Sequence, residues 1–159
     1  MRSDPNRHHG FTLVELTIVI LVLAILAALV MPKFSEATQR AEAAQIGTTM
    51  RAFAGAVQRY HAEHGTFPPD SSHGVFPPEL DAYLGSFDMN ETPIGGQWDY
   101  ENWDTFPGQP FRIAVSIRSG DLSRFAGIDA ELDDGDLGTG GIRQINLSGQ
   151  RLLFGVVPR

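Results

Sequence analysis

The most one-sided stretch of the chain lies near its start. Residues 11–31 read FTLVELTIVILVLAILAALVM, and Thr12, Glu15 and Thr17 are the interruptions to its apolar character. A run of this length forms a helix of roughly 30 Å, the thickness of a bilayer core. Pro32 and Lys33 close it. Arg2, Arg7, His8 and His9 precede it against one acid, Asp4. That flank places the N-terminal side in the cytoplasm and the remainder outside, because cationic flanks stay on the cytoplasmic face. Ala24, Ala27 and Ala28 are small enough for a secretory cleavage site. However, the apolar run continues past them and carries an early acid, which an ordinary signal peptide does not.

The pattern then changes without losing helical character. Residues 33–64 are rich in Ala, Glu, Gln and Arg, and Ala43, Ile46, Met50, Phe53, Val57 and Tyr60 recur at steps of three and four. Such a stripe wants one partner surface. Gly65 fits the position after a helix end, and Pro68-Pro69 forbids continuation. One helix with two environments is therefore predicted: residues 11–32 for lipid or like helices, and residues 33–64 for the face of a globular region. Pro32, at the junction, is a candidate bend.

Residues 65–96 are a proline- and glycine-rich connector with one short helix predicted around Pro78 to Leu84. Trp98 and Tyr100 share a face over residues 97–103. Phe111, Ile113, Val115 and Ile117 alternate with Arg112, Ala114, Ser116 and Arg118, the mark of a half-buried strand. Pro107-Gly108 turns between these two. Leu122, Phe125, Ile128 and Leu132 keep helical spacing, which predicts a helix over 121–134. Residues 143–147 and 151–157 read as a second strand pair around Ser148-Gly149-Gln150. The fold class is α+β: a long N-terminal helix whose second half packs on a small antiparallel sheet, with 65–159 as the external globular region.

Composition removes several functions. With no cysteine, disulfides, thiolate metal sites and cysteine nucleophiles are excluded. The net charge of −7 opposes general nucleic-acid binding, which needs cations against phosphates. No nucleophile elbow or phosphate loop is present, so the chain is not expected to be an enzyme. His61 and His64 read as cations near a helix C-terminus rather than as a zinc pair. Trp98, Tyr100 and Trp103 read as sheet core or a subunit seam.

One cluster keeps a ligand open. Asp129, Asp133, Asp134 and Asp136 lie in IDAELDDGDLGTGG, and clustered oxygens near glycines suit calcium. The spacing is not that of an EF-hand, since Asp134 stands where glycine is required and no terminal glutamate follows. A solvated acidic helix end is the favoured reading of these residues.

Glu15 asks a sharper question. A carboxylate in a bilayer costs about 2.5–3.5 kcal/mol or more, and no Lys or Arg follows until Lys33. An α-amine at Phe11, released by cleavage before it, would lie four residues away on the same helix face. The run Gly10-Phe11-Thr12-Leu13-Val14-Glu15, with its basic leader and apolar helix, resembles the class III signal of type IV pilins and type II secretion pseudopilins. Pro32 falls where many such proteins carry a proline. The resemblance implies a leader of residues 1–10, cleavage after Gly10 and N-methylation of Phe11 by a prepilin peptidase. It implies a structural subunit of a bacterial envelope filament, anchored in the inner membrane before assembly. The partners it implies are further copies or related pilin-like subunits and an assembly platform with its ATPase. The lack of cysteine, the short last strand and the DDG segment lean toward the pseudopilin side. An alternative is a membrane-anchored periplasmic binding module, with calcium as its ligand.

Overall fold

A computed structural model describes residues 11–85, 87–118, 123–146 and 149–158. Gly10, the leader, and Asp121, Leu122, Leu147 and Ser148 of the expected helix and strand pair lie outside the described residues. Contacts divide the chain into two compact units, Met1–Thr38 and Gln39–Arg159. Helix α1 (Leu13–His64) contributes to both.

In the first unit, every described residue is solvent-exposed. Pro32 sits inside the helix, which continues through it unbroken. Its ring removes the amide that would have bonded the Ala28 carbonyl, and the neighbouring turns carry the helix across that gap.

In the second unit, α1 buries Ala43, Ile46, Gly47, Met50, Phe53, Ala56 and Val57, the apolar stripe that the three-four spacing predicts. Gly47 belongs to it because a side chain there would come within 2.8 Å of the Leu132 side chain. Gly65 ends the helix with φ +72°, and its amide donates to the His61 carbonyl at 2.8 Å. A residue with a Cβ pays for that conformation, and glycine does not. The connector then forms a 3-10 turn, Pro78–Leu80, running directly into α2 (Asp81–Leu84).

The strands are β1 (Gln97–Asn102), β2 (Phe111–Arg118), β3 (Ile142–Asn146) and β4 (Gln150–Pro158), with α3 (Ser123–Leu132) between β2 and β3. They form one antiparallel sheet in the order β1-β2-β4-β3. Trp98, Tyr100, Ile113, Val115, Ile117, Leu152 and Phe154 join Ile46, Phe53 and Val57 of α1 in one core, which Phe125 and Ile128 of α3 also enter. Phe53 is its hinge pin, meeting Phe76 and Phe87 edge-on at 6.0 and 5.6 Å.

The expectation of a half-buried β2 is corrected. Ala114 and Ser116, which alternate onto the other side of the sheet, are fully buried too. On that side Trp103, Phe111, Ala114 and Leu153 make a second small cluster. Phe111 reaches it because the β2–β4 register shifts between Phe111 and Ala114, and a shift of one residue sends a side chain to the opposite face. Beside this cluster lies a buried ionic group that alternation alone does not reveal. The Arg151 guanidinium donates to Asp99 Oδ2 at 3.0 Å and to Glu101 Oε1, and all three residues are buried.

Candidate functional site

The apolar half of α1 is one candidate site. Sixteen large apolar side chains between Phe11 and Phe34 are exposed, Phe11 itself at 81%. Burying each would gain about 1.5–3 kcal/mol, so the set amounts to tens of kcal/mol of unmet demand. A segment of this kind is made to sit in lipid or against other helices. By length and composition the helix is long and apolar enough to cross a membrane.

Glu15 has a local partner that is not a cation. Thr12 donates its backbone amide and its Oγ1 to Glu15 Oε2, both at 2.9 Å, and the Glu15 amide donates to Thr12 Oγ1 at 3.2 Å. The first helical bond runs from the Leu16 amide to the Thr12 carbonyl at 3.1 Å. This reciprocal arrangement is a capping box, written in sequence as Thr-x-x-Glu before an apolar run. Both donors go to Oε2. The acid is thus held at the helix start with its second oxygen directed to whatever lies beside it.

The acidic segment forms the second candidate site. Asp129, Asp133 and Asp134 each bring one carboxylate oxygen within 4.8 Å of the other two. Asp136 is not part of that group; its Oδ1 accepts the Gly138 amide at 3.0 Å. Asp133 Oδ2 accepts the Gly141 and Ile142 amides at 2.6 and 2.9 Å, tying the loop to the start of β3. Asp134 accepts the Asp136 amide and the Thr139 hydroxyl, both at 2.9 Å, and these bonds pull its carboxyl below the ordinary range. Asp129 differs: it is 0% exposed. Burial, followed by the charges of Asp134, Asp133 and Asp136, pushes its carboxyl upward. The reading of this cluster as a wholly solvated helix end is corrected for Asp129. It follows Phe125 by four residues and so falls on the inward stripe of α3, a signal present in the sequence.

The histidines do not form a pair. His61 stacks on Phe67 at 4.1 Å and His64 on Tyr60 at 4.2 Å. Trp98 is core, its indole N–H donating to the Glu91 carbonyl at 3.0 Å. A cleft lined by His61, Phe67, Asp70, Asn102, Asp104 and Arg112 has most of its polar groups engaged internally. Arg112 pairs with Asp104 at 2.6 Å, and Asp70 accepts the Asn102 amide at 2.8 Å. Such pairing leaves little for a ligand to bind.

Comparison with known proteins adds to this geometry. The family described as the prokaryotic N-terminal methylation motif matches residues 5–31. A fimbrial protein of Neisseria meningitidis serogroup A is 36% identical over 129 residues, covering 79% of this chain and 76% of that protein. The type IV major pilin protein PilE of Neisseria gonorrhoeae is 38% identical over 63 residues, 40% of this chain. That match spans 38% of PilE, well under half of its length. The type II secretion system core protein G of Klebsiella pneumoniae is 32% identical over 63 residues, covering 40% of this chain and 45% of that protein. The solved structure of the major type IV pilin PilA1 from Clostridium difficile superposes with a TM-score of 0.51, over 77% of this chain and 98% of that one. At 15% identity that likeness is one of fold.

Proposed function

Since the chain belongs to the type IV pilin-like family, we propose that it is a structural, non-enzymatic subunit of a type IV pilus-like filament. A prepilin peptidase cleaves it after Gly10 and methylates Phe11. Before assembly, residues 11–32 span the inner membrane once, with the N-terminus cytoplasmic and residues 65–159 outside. Residues 33–64 carry the helix into the globular region. An assembly platform and its ATPase move the helix from lipid into a bundle of like helices. The observation that carries this reading is the exposed apolar helix of residues 13–34, whose acid lies within the matched methylation motif. Removing such a surface from lipid is favourable only if it is buried again.

Glu15 sets the register. Its capping box leaves Oε1 outside both bonds from Thr12. The amine freed at Phe11 of a neighbouring subunit supplies the cation, and a subunit docked out of register buries an uncompensated carboxylate. A pilus is preferred to a secretion pseudopilus because the matches that span 79% and 74% of the chain are with fimbrial proteins. The partners are further copies or related pilin-like subunits, with no nucleic acid. The binding-module reading is not favoured, given the internally paired cleft.

The test combines intact mass with filament yield, in cells that hold a prepilin peptidase and the assembly machinery. The wild-type chain starts at methylated Phe11. Glu15→Ala is processed normally and yields few filaments. A chain still starting at Met1, a start beyond Ala28, or wild-type filament yield from Glu15→Ala would each overturn the mechanism.

A further inference from the structure

Two surfaces of the second unit stand at opposite ends of its sheet and complement one another. The first is a groove where α1 passes β3 and β4. Met50, Ala54, Leu132, Ile142 and Phe154 line it, and Arg51 stands among them. The Arg51 guanidinium makes one long contact, 3.5 Å to the Thr48 hydroxyl, and forms no ion pair among the described residues. The acid of the groove, Asp133, has its Oδ2 taken by the Gly141 and Ile142 amides. An apolar slot beside an unpaired cation suits an apolar side chain with carboxylates next to it. The connector offers that combination. No Lys or Arg occurs between Arg59 and Arg112. Outside the apolar half of α1, Val75 and Phe106 are the exposed large apolar side chains among the described residues. Phe106 lies two residues from Asp104, which is already paired with Arg112. Val75 has acids nearby that meet no cation. A Cβ on the preceding Gly74 would come 2.9 Å from Asn90 Oδ1. Asp88 and Glu91 stand on either side of Asn90 in the chain, both exposed, and neither forms an ion pair among the described residues. The turn bearing Val75 is held in place. Its amide donates to the Ser72 carbonyl at 2.9 Å, its carbonyl accepts the Ser71 hydroxyl at 3.0 Å, and the Gly74 amide donates to Trp98 of β1 at 3.0 Å.

Resting on the filament reading above, we propose that the Val75 turn of one subunit docks into the α1–β3–β4 groove of a second copy, with Asp88 and Glu91 facing Arg51. Val75 covers Met50, Ile142 and Phe154, and the carboxylates meet the guanidinium at the rim. Within one chain the two surfaces cannot meet. The connector bonds to β1, whereas the groove lies on β4 and β3. The order β1-β2-β4-β3 separates them by three strand spacings, about 14 Å. The contact uses different patches on its two partners, so each subunit keeps one groove and one turn for its neighbours. Contacts of this heterologous kind build rings or open filaments rather than closed pairs. They also add what the apolar helix lacks. Apolar burial is non-directional, and a helix apolar all round gives little preference for one rotation over another. A single cation in a groove, on a chain of net charge −7, selects one orientation because most other faces present like charge.

The chain has no cysteine, so engineered pairs read the contact directly. Full-length chain carrying both Val75→Cys and Ala54→Cys is assembled in cells that hold a prepilin peptidase and the assembly machinery, and its filaments are oxidised. A disulfide needs Cα atoms about 4.4–6.8 Å apart. The double variant gives a ladder of cross-linked subunits on a denaturing gel, and each single variant runs as a monomer. Arg51→Glu lowers filament yield about tenfold or more, because it sets acid against acid. Adding Asp88→Lys and Glu91→Lys restores yield to within about threefold of wild type. Melts of detergent-extracted subunits within about 3 °C of wild type separate lost docking from lost folding. If the charge variants do not fold, the ladder decides; if the cysteine variant does not assemble, the charge swap decides. Filaments without a ladder overturn the contact, as does a ladder from Phe106→Cys with Ala54→Cys in place of the Val75→Cys pair. A folded Arg51→Glu chain that assembles normally, or that the swap does not rescue, overturns it too. Each of these leaves the filament reading standing, whereas a wild-type chain that forms no filaments overturns both.

Discussion

Replacing Arg151 with methionine tests the energetics of the second unit at its most exposed assumption. Arg151 on β4 donates to Asp99 Oδ2 and Glu101 Oε1 on β1, with β2 lying between the two strands. Ser116 of β2, fully buried, adds a 3.4 Å hydroxyl contact to Glu101. Methionine keeps most of the stem volume and removes the charge. Two carboxylates then remain buried with no guanidinium between them, and breaking such a group costs about 3–5 kcal/mol. For a unit of this size each kcal/mol lowers Tm by about 3–5 °C, so the loss is about 10–20 °C. The pH dependence has a definite sign. Burial already raises the Asp99 carboxyl above its ordinary 3.8, and the hydrogen bond and charge of Arg151 act to lower it. Without Arg151 the folded-state value rises further above the unfolded one. The penalty is therefore full above the raised value and shrinks as pH falls through it toward 3.8. Thermal melts of full-length protein in detergent, taken from pH 7 to pH 4, measure both effects. Adding Asp99→Asn and Glu101→Gln to Arg151→Met recovers much of the loss. A single variant melting within about 3 °C of wild type at neutral pH, less than the cost of one kcal/mol, refutes the reasoning. A loss that does not shrink on acidification refutes it as well.

Two smaller perturbations probe local geometry. Thr12→Ala removes both the side-chain cap and one of the two bonds holding Glu15, costing about 1 kcal/mol of helix start. Faster amide exchange at Leu13 to Leu16 in detergent reads it, and unchanged protection there contradicts the capping box. Gly155→Ala puts a Cβ within 2.3 Å of the Phe111 ring, which packs with Trp103 and Leu153 under the Arg143 guanidinium. The clash costs about 1–3 kcal/mol, read as a lowered urea midpoint with unchanged slope. An unchanged midpoint would mean that Phe111 is free to swing aside.

The long helix was legible because its two halves differ in pattern: continuous apolarity over 11–31, then a stripe that the structure buries from Ala43 to Val57. The sheet core was legible for the same kind of reason, since Trp98, Tyr100 and the odd positions of β2 keep a period of two. What alternation reports, however, is which side chains share a face, and it is silent on whether the polar face meets water. Asp99 and Glu101 look like the solvent side of β1. Their partner Arg151 is 52 and 50 residues away, and no local window joins them. The sheet order β1-β2-β4-β3 brings them together, so their burial follows from topology rather than from residue type.

The two acids that matter most show opposite sides of this limit. Glu15 was conspicuous because nothing around it is charged, yet its immediate partner went unread although Thr-x-x-Glu is a short-range signature. Asp129 was inconspicuous because it stands among four other acids. Counting acids treats them alike, whereas position on α3 separates them. Phe125 and Ile128 point into the core, and Asp129, four residues beyond Phe125, shares their side. Asp133 and Asp134 come after the helix has ended and turn their oxygens to loop amides. The cluster is thus three carboxylates in different circumstances: one buried beside the Gly135 amide and two held by the loop. A solvated acidic patch would leave all three exposed and interchangeable. Asp129 and Asp136, seven residues apart in the same acidic run, differ for that reason: the first lies on the inward side of α3, and the second accepts a loop amide, that of Gly138.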